Sequence, residues 1–100
     1  MNVNLTKNGN QLTVAVAGRI DTATAPQLEE QVMGALDGVE ELIFDFSDLI
    51  YISSAGLRLL LILHKKMLPI GSMQIGGVGE VVYEIFDVTG FSDILDISKK

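Results

Sequence analysis

The chain has 100 residues, 48% of them hydrophobic and 20% charged, which suits one globular domain and excludes a disordered chain. Seven basic against thirteen acidic side chains leave a formal charge of −6, which argues against a nucleic-acid partner and against an anionic membrane surface. With no cysteine and one histidine, disulfides, thiolate chemistry, cysteine-bound zinc and a multi-histidine metal site within one chain are excluded.

The amino terminus, Met1-Asn2-Val3-Asn4, lacks the basic and apolar regions of a signal peptide. No stretch approaches the ~20 apolar residues that cross a bilayer. A cytoplasmic protein is therefore expected. Val3 to Lys7 and Gln11 to Ala17 read as two strands joined by the turn Asn8-Gly9-Asn10, whose residues tolerate positive φ. Leu12, Val14 and Val16 alternate with Gln11, Thr13 and Ala15, the pattern of a sheet with one face on a core.

Gly18-Arg19-Ile20-Asp21 leads into a helix. Thr24 is the expected N-cap, Pro26 falls in the first turn, and Gln27 completes a capping-box spacing. Leu28, Val32 and Leu36, with Ala25 and Ala35, form a buried stripe, while Glu29, Glu30 and Asp37 face water. Gly38 is expected to end this helix. Leu42 to Phe46 reads as a central strand.

After the loop-like stretch from Ser47 to Gly56, Leu57 to Met67 reads as a second helix. On its wheel Leu57, Leu60, Leu61, His64 and Met67 share one arc; Arg58, Ile62, Lys65 and Lys66 share the opposite one; Leu59 and Leu63 lie at the borders. Pro69 and Gly71 stop it. Ser72 to Ile75 reads as a short strand, Gly76-Gly77-Val78-Gly79 as a loop, and Glu80 to Val88 as a third helix burying Val81, Val82, Ile85 and Phe86, with Gly90 after its end. Phe91, Ile94, Leu95 and Ile97 make an apolar tail that reads as a last helical turn and a short final strand. The order β-β-α-β-α-β-α implies an α/β domain with a mixed sheet of about four or five strands.

Little here suggests catalysis. His64 shares its arc with leucines and has no evident acid or nucleophile partner. The glycines from Gly76 to Gly79 lack the Lys-Ser/Thr of a phosphate loop. The informative segment is Ser53-Ser54-Ala55-Gly56-Leu57, where two hydroxyls meet a helix start. One can cap the helix by accepting a backbone N–H bond, which leaves the other free. Ala55-Gly56 adds no bulk, so another molecule can approach the backbone, and a helix amino terminus favours an anion. A phosphate there adds about −1.5 to −2 charges and three strong acceptors.

Gly18-Arg19-Ile20-Asp21, the run from Phe44 to Leu57 (Phe-Asp-Phe-Ser-Asp-Leu-Ile-Tyr-Ile-Ser-Ser-Ala-Gly-Leu), and Ile85-Phe86-Asp87-Val88-Thr89-Gly90-Phe91 occur in the same order as in STAS domains. The chain resembles the stand-alone bacterial anti-sigma factor antagonists of that family over essentially its whole length, as a single domain 1–100. The resemblance implies the STAS (SpoIIAA-like) fold, a mixed α/β sheet with helices mainly on one face.

It also implies a non-enzymatic role without cofactor: binding an anti-sigma factor that is a serine kinase of the GHKL type, release of a sigma factor, phosphorylation that ends the interaction, and reset by a metal-dependent serine phosphatase. The family's acceptor serine falls on Ser54, with Ser53 as the competing hydroxyl, and its aspartate falls on Asp21. Where sporulation and stress-response members often carry Asp and Ser or Thr around the acceptor, this chain has Ser53 and Ala55.

The expected phosphosite support is Asp21, Gly56 and Arg58, the last lying four residues beyond Ser54 on the same helix face and in reach of a phosphate there. The expected partner-binding set is Arg19, Asp21, Ser53, Ser54, Ala55, Arg58, Leu59 and Ile62, with Leu59 and Ile62 forming an apolar patch. The alternative is a non-phosphorylated STAS adaptor or scaffold subunit of a signalling or lipid-transport complex.

Overall fold

Asn8 pairs with Gln11 across a two-residue turn, and Gly9 there adopts φ +61°, a conformation that side chains with a Cβ resist. In the computed structural model, which describes residues 1–100, this turn joins β1 (Asn2–Asn8) to β2 (Gln11–Ile20). The chain continues through α1 (Ala25–Met33), β3 (Glu41–Asp45), β4 (Leu49–Ile52), α2 (Ser54–Met67), β5 (Ser72–Val78), α3 (Glu80–Val88), a short 3₁₀ turn (Phe91–Asp93) and β6 (Asp96–Lys99).

The sheet has six strands, one or two more than expected. Its path is β1-β2-β3-β5-β6, antiparallel at the opening hairpin and parallel elsewhere, and β4 pairs with the far end of β2. Strand β2 thus runs to Ile20 rather than Ala17: its first half lies along β3, and Gly18, Arg19 and Ile20 lie along β4, with a register shift between Gly18 and Arg19. The glycines Gly76 and Gly77 lie inside β5 rather than in a loop.

Parallel register stacks the core in rungs. Leu12, Leu42 and Met73 align across three strands, and Val14, Phe44 and Ile75 align two residues on. All six are buried, while the alternate residues of β2 and β3 are half-buried or exposed. The same core takes in Leu28 and Val32 of α1, Leu57, Leu60, Leu63 and Met67 of α2, and Val82 and Phe86 of α3, so the helices cover that face. Phe46 stacks on Phe86 at 6.5 Å and meets Phe44 at 5.5 Å, joining the end of β3 to α3.

Several local expectations are corrected. Helix α1 stops at Met33 with Gly34 as its C-cap, so Leu36 and Gly38 lie beyond it. Helix α2 begins at Ser54, three residues before Leu57. Its borders are apolar because it packs against α1, β4 and β5 at once: Leu59 and Leu63 are buried, whereas Leu61 is only partly so. Val81, in the first turn of α3, is exposed, and Val82 and Phe86 carry that helix's burial.

Candidate functional site

The site is built where β2, β4, α1 and α2 converge. The backbone N–H of Ser53 donates to the carbonyl of Ile20 (2.8 Å), which ties the start of α2 to the end of β2. Gly56 is buried between those elements. A Cβ there would come within 2.6 Å of Ile52 Cγ1 and 2.7 Å of Ile20 Cγ2. The glycine is therefore needed so that α2 can approach the sheet, and its backbone is closed to an outside molecule, contrary to the expectation for Ala55-Gly56.

The two serines occupy different surroundings. Ser53 is the N-cap of α2 in extended conformation, but its hydroxyl makes no capping bond. Ser53 Oγ is buried with no hydrogen-bond partner, so the expected capping serine does not cap. Ser54 is the first helical residue and is exposed. An attacking group from solvent reaches Ser54 and not Ser53.

The entrance to α1 is held by Asp21. One of its carboxylate oxygens accepts the N–H groups of Ala23 (3.0 Å) and Thr24 (3.1 Å), and its own N–H donates to Thr24 Oγ1 (2.8 Å). The Thr24 hydroxyl donates to the Arg19 carbonyl (3.0 Å) and makes no capping bond, so the expected capping box does not form. The Thr24 N–H, more than any other group, holds the Asp21 carboxyl below the usual carboxylate range, with smaller help from the Thr24 hydroxyl, which also donates to Asp21 Oδ1 (3.2 Å), and then from the Ala23 N–H and Arg19. The Arg19 guanidinium lies over the Tyr51 ring, 4.5 Å from its centroid, on the adjoining strand.

Between α1 and α2 runs an open groove of about 670 Å³. From α2 it takes Ser54, Ala55, Arg58, Leu59 and Ile62; facing them are Thr22, Ala25, Pro26 and Glu29. Five of the eight expected partner-binding residues thus share one groove. Leu59 is only 4% exposed and forms its floor, so the expected apolar patch reduces to Ile62 at 39%. Arg19, Asp21 and Ser53 are not among its lining residues. Sequence reasoning missed the α1 wall: Glu29 reads as an ordinary solvated charge until the packing of two helices puts it opposite Ser54 and Arg58.

The STAS domain family model matches residues 2–100. The chain belongs to the STAS family. Among proteins with curated descriptions, this STAS domain is similar to the anti-sigma-B factor antagonist of Bacillus subtilis, at 33% identity over all of this chain and 93% of that protein. Among solved structures it is similar to an anti-sigma factor antagonist from Mycobacterium paratuberculosis, at 25% identity and a TM-score of 0.87, covering 99% of this chain and 86% of that one. It also superposes on the Bacillus cell fate determinant SpoIIAA in its phosphorylated form, with a TM-score of 0.75 over 99% of this chain and 93% of that one. At 16% identity that last likeness concerns the fold alone.

No helix of this STAS domain is long and apolar enough to cross a membrane.

Proposed function

We propose that this STAS domain is an anti-sigma factor antagonist whose docking surface is switched by a phosphate on Ser54. The observation that carries the reading is the contrast at the start of α2: Ser54 is exposed and opens on a groove, while the hydroxyl beside it is buried. The names of the relatives support the partner class, an anti-sigma factor.

In this reading the partner is a serine kinase of the GHKL type acting in the cytoplasm. It docks over Ser54, Ala55, Arg58 and Ile62, with Arg19 and Asp21 at the margin, and is thereby diverted from its sigma factor. Gly56 and Asp21 support the site by fixing the approach of α2 and the entrance of α1. The Ser54 hydroxyl oxygen attacks the γ-phosphorus of ATP bound to the kinase. The new O–P bond forms as the bond to ADP breaks, and the hydroxyl proton passes to a base on the kinase. The added charge, about −1.5 to −2, and the bulk of the phosphate disrupt the docked surface. A metal-dependent serine phosphatase then restores the hydroxyl.

The test is incubation with the cognate anti-sigma kinase and ATP, followed by intact-mass and peptide analysis. One added phosphate is expected on the parent and on Ser53→Ala, and none on Ser54→Ala. A parent that binds the kinase yet gains no phosphate would instead favour the adaptor reading.

A further inference from the structure

The groove beside Ser54 is charge-balanced. Among its lining residues the only cation is Arg58, on α2, and the only anion is Glu29, on α1. Residues four apart on a helix have Cβ atoms about 5–6 Å apart, well within the reach of an arginine side chain. Arg58 is exposed and free to turn along its own helix towards position 54. The N–H groups of the first turn of α2 receive no bond from the Ser53 side chain, so that end of the helix retains its preference for an anion.

We propose that Arg58 and Glu29 form an opposed pair that tunes the phosphate on Ser54: Arg58 receives the dianion, and Glu29 repels it from the facing wall. This rests on the reading of Ser54 as the phosphate carrier and adds to it. The phosphate alters the surface twice over, once by its own charge and once by withdrawing the single cation of the groove from contact with a partner. A guanidinium offers two parallel N–H donors to a phosphate, so the pair is directional as well as electrostatic. Two further charges lie outside the groove lining and keep their charge whichever groove residue is replaced, so they are a constant background to the comparison. Asp21, at the entrance to α1, has an oxygen committed to the N–H groups of Ala23 and Thr24, and Arg19, at the end of β2, lies over Tyr51.

The signs follow from which protonation state each residue favours. A phosphoserine loses its second proton at a pKa of about 6. Arg58 stabilises the dianion and lowers that value; Glu29 destabilises it and raises that value. Phosphoserine is installed at position 54 during translation, without any kinase, and the phosphorus resonance is followed by NMR from about pH 4 to pH 8 at low salt. Arg58→Ala is expected to raise the second pKa by about 0.5–1 unit and Glu29→Gln to lower it by a smaller amount. Arg58→Lys is expected to fall between Arg58→Ala and the parent, since it keeps the charge and loses the fork. Coincident titrations of parent and Arg58→Ala, or shifts of the same sign for Arg58→Ala and Glu29→Gln, would overturn the proposal.

Because the phosphate is introduced without a kinase, this result is independent of whether a kinase selects Ser54. Failure of the enzymatic test with a shifted titration removes the switch and keeps the pair. Success of the enzymatic test with coincident titrations removes only the pair.

Discussion

Gly56→Ala is the smallest change that should disturb the start of α2. The added methyl would lie 2.6 Å from Ile52 Cγ1 and 2.7 Å from Ile20 Cγ2, separations that carbon atoms do not sustain. Ile20 and Ile52 are 0% and 1% exposed, and β-branched side chains have few alternative rotamers, so neither can swing aside. Overpacking of this kind costs about 1–3 kcal/mol, and two simultaneous clashes place it in the upper part of that range. Alanine in a helix recovers about 1 kcal/mol relative to glycine. The net loss is therefore about 1–2 kcal/mol, and each kcal/mol lowers the melting temperature of a domain this size by about 4–8 °C.

Thermal and urea unfolding followed by circular dichroism measure this loss. A double-mutant cycle locates its source: Ile52→Ala alone costs about 2–5 kcal/mol, and should cost less in the Gly56→Ala background because the methyl occupies part of the space that isoleucine vacates. A Gly56→Ala protein that melts at or above the parent, with additive effects in the cycle, would refute the claim that close approach of α2 to β2 and β4 requires glycine here.

Two further outcomes follow from side-chain hydrogen bonding. Replacing a capping serine by alanine ordinarily costs about 0.5–2 kcal/mol, but Ser53 Oγ has no partner, so Ser53→Ala should leave stability unchanged or raise it; a loss near 1 kcal/mol in urea unfolding would contradict the orphaned hydroxyl. Asp21 and Asp45 are both held below the usual carboxylate range, Asp21 chiefly by the Thr24 N–H and Asp45 chiefly by the Ser47 hydroxyl. Their depressed values mean that the stability they contribute is complete above the unfolded carboxylate pKa of about 4 and is lost as pH falls through the folded values. Melting temperature should therefore drop below about pH 4, and Asp21→Asn with Asp45→Asn should flatten that drop; an unchanged acid limb would contradict the assignment.

What was legible in the chain was local. Asn8-Gly9-Asn10 specifies a turn by itself, and alternation in β2 shows its buried face because one strand suffices to display a period of two. Ser54 stands out because a hydroxyl-rich helix start is a contiguous feature. Contacts between distant segments were not legible. Strand β4 has only four residues, too few for a clear pattern, and it exists because the far end of β2 offers it a partner. Leu59 looked like a border residue because a wheel assumes one packed face, whereas α2 is covered by a sheet and by α1. The wall made by Pro26 and Glu29 depends on that same helix–helix contact. Gly56 read as an opening for a partner because its neighbours in sequence are small. Its neighbours in space, Ile20 and Ile52, reverse that meaning.

The central claim is that one phosphate on Ser54 decides whether a partner can occupy the groove. The most direct measurement is the affinity of the cognate anti-sigma kinase, without nucleotide turnover, for the unmodified chain and for the chain carrying phosphoserine at position 54. The account predicts a loss of at least about tenfold on phosphorylation, about 1.4 kcal/mol. Equal affinities would contradict it.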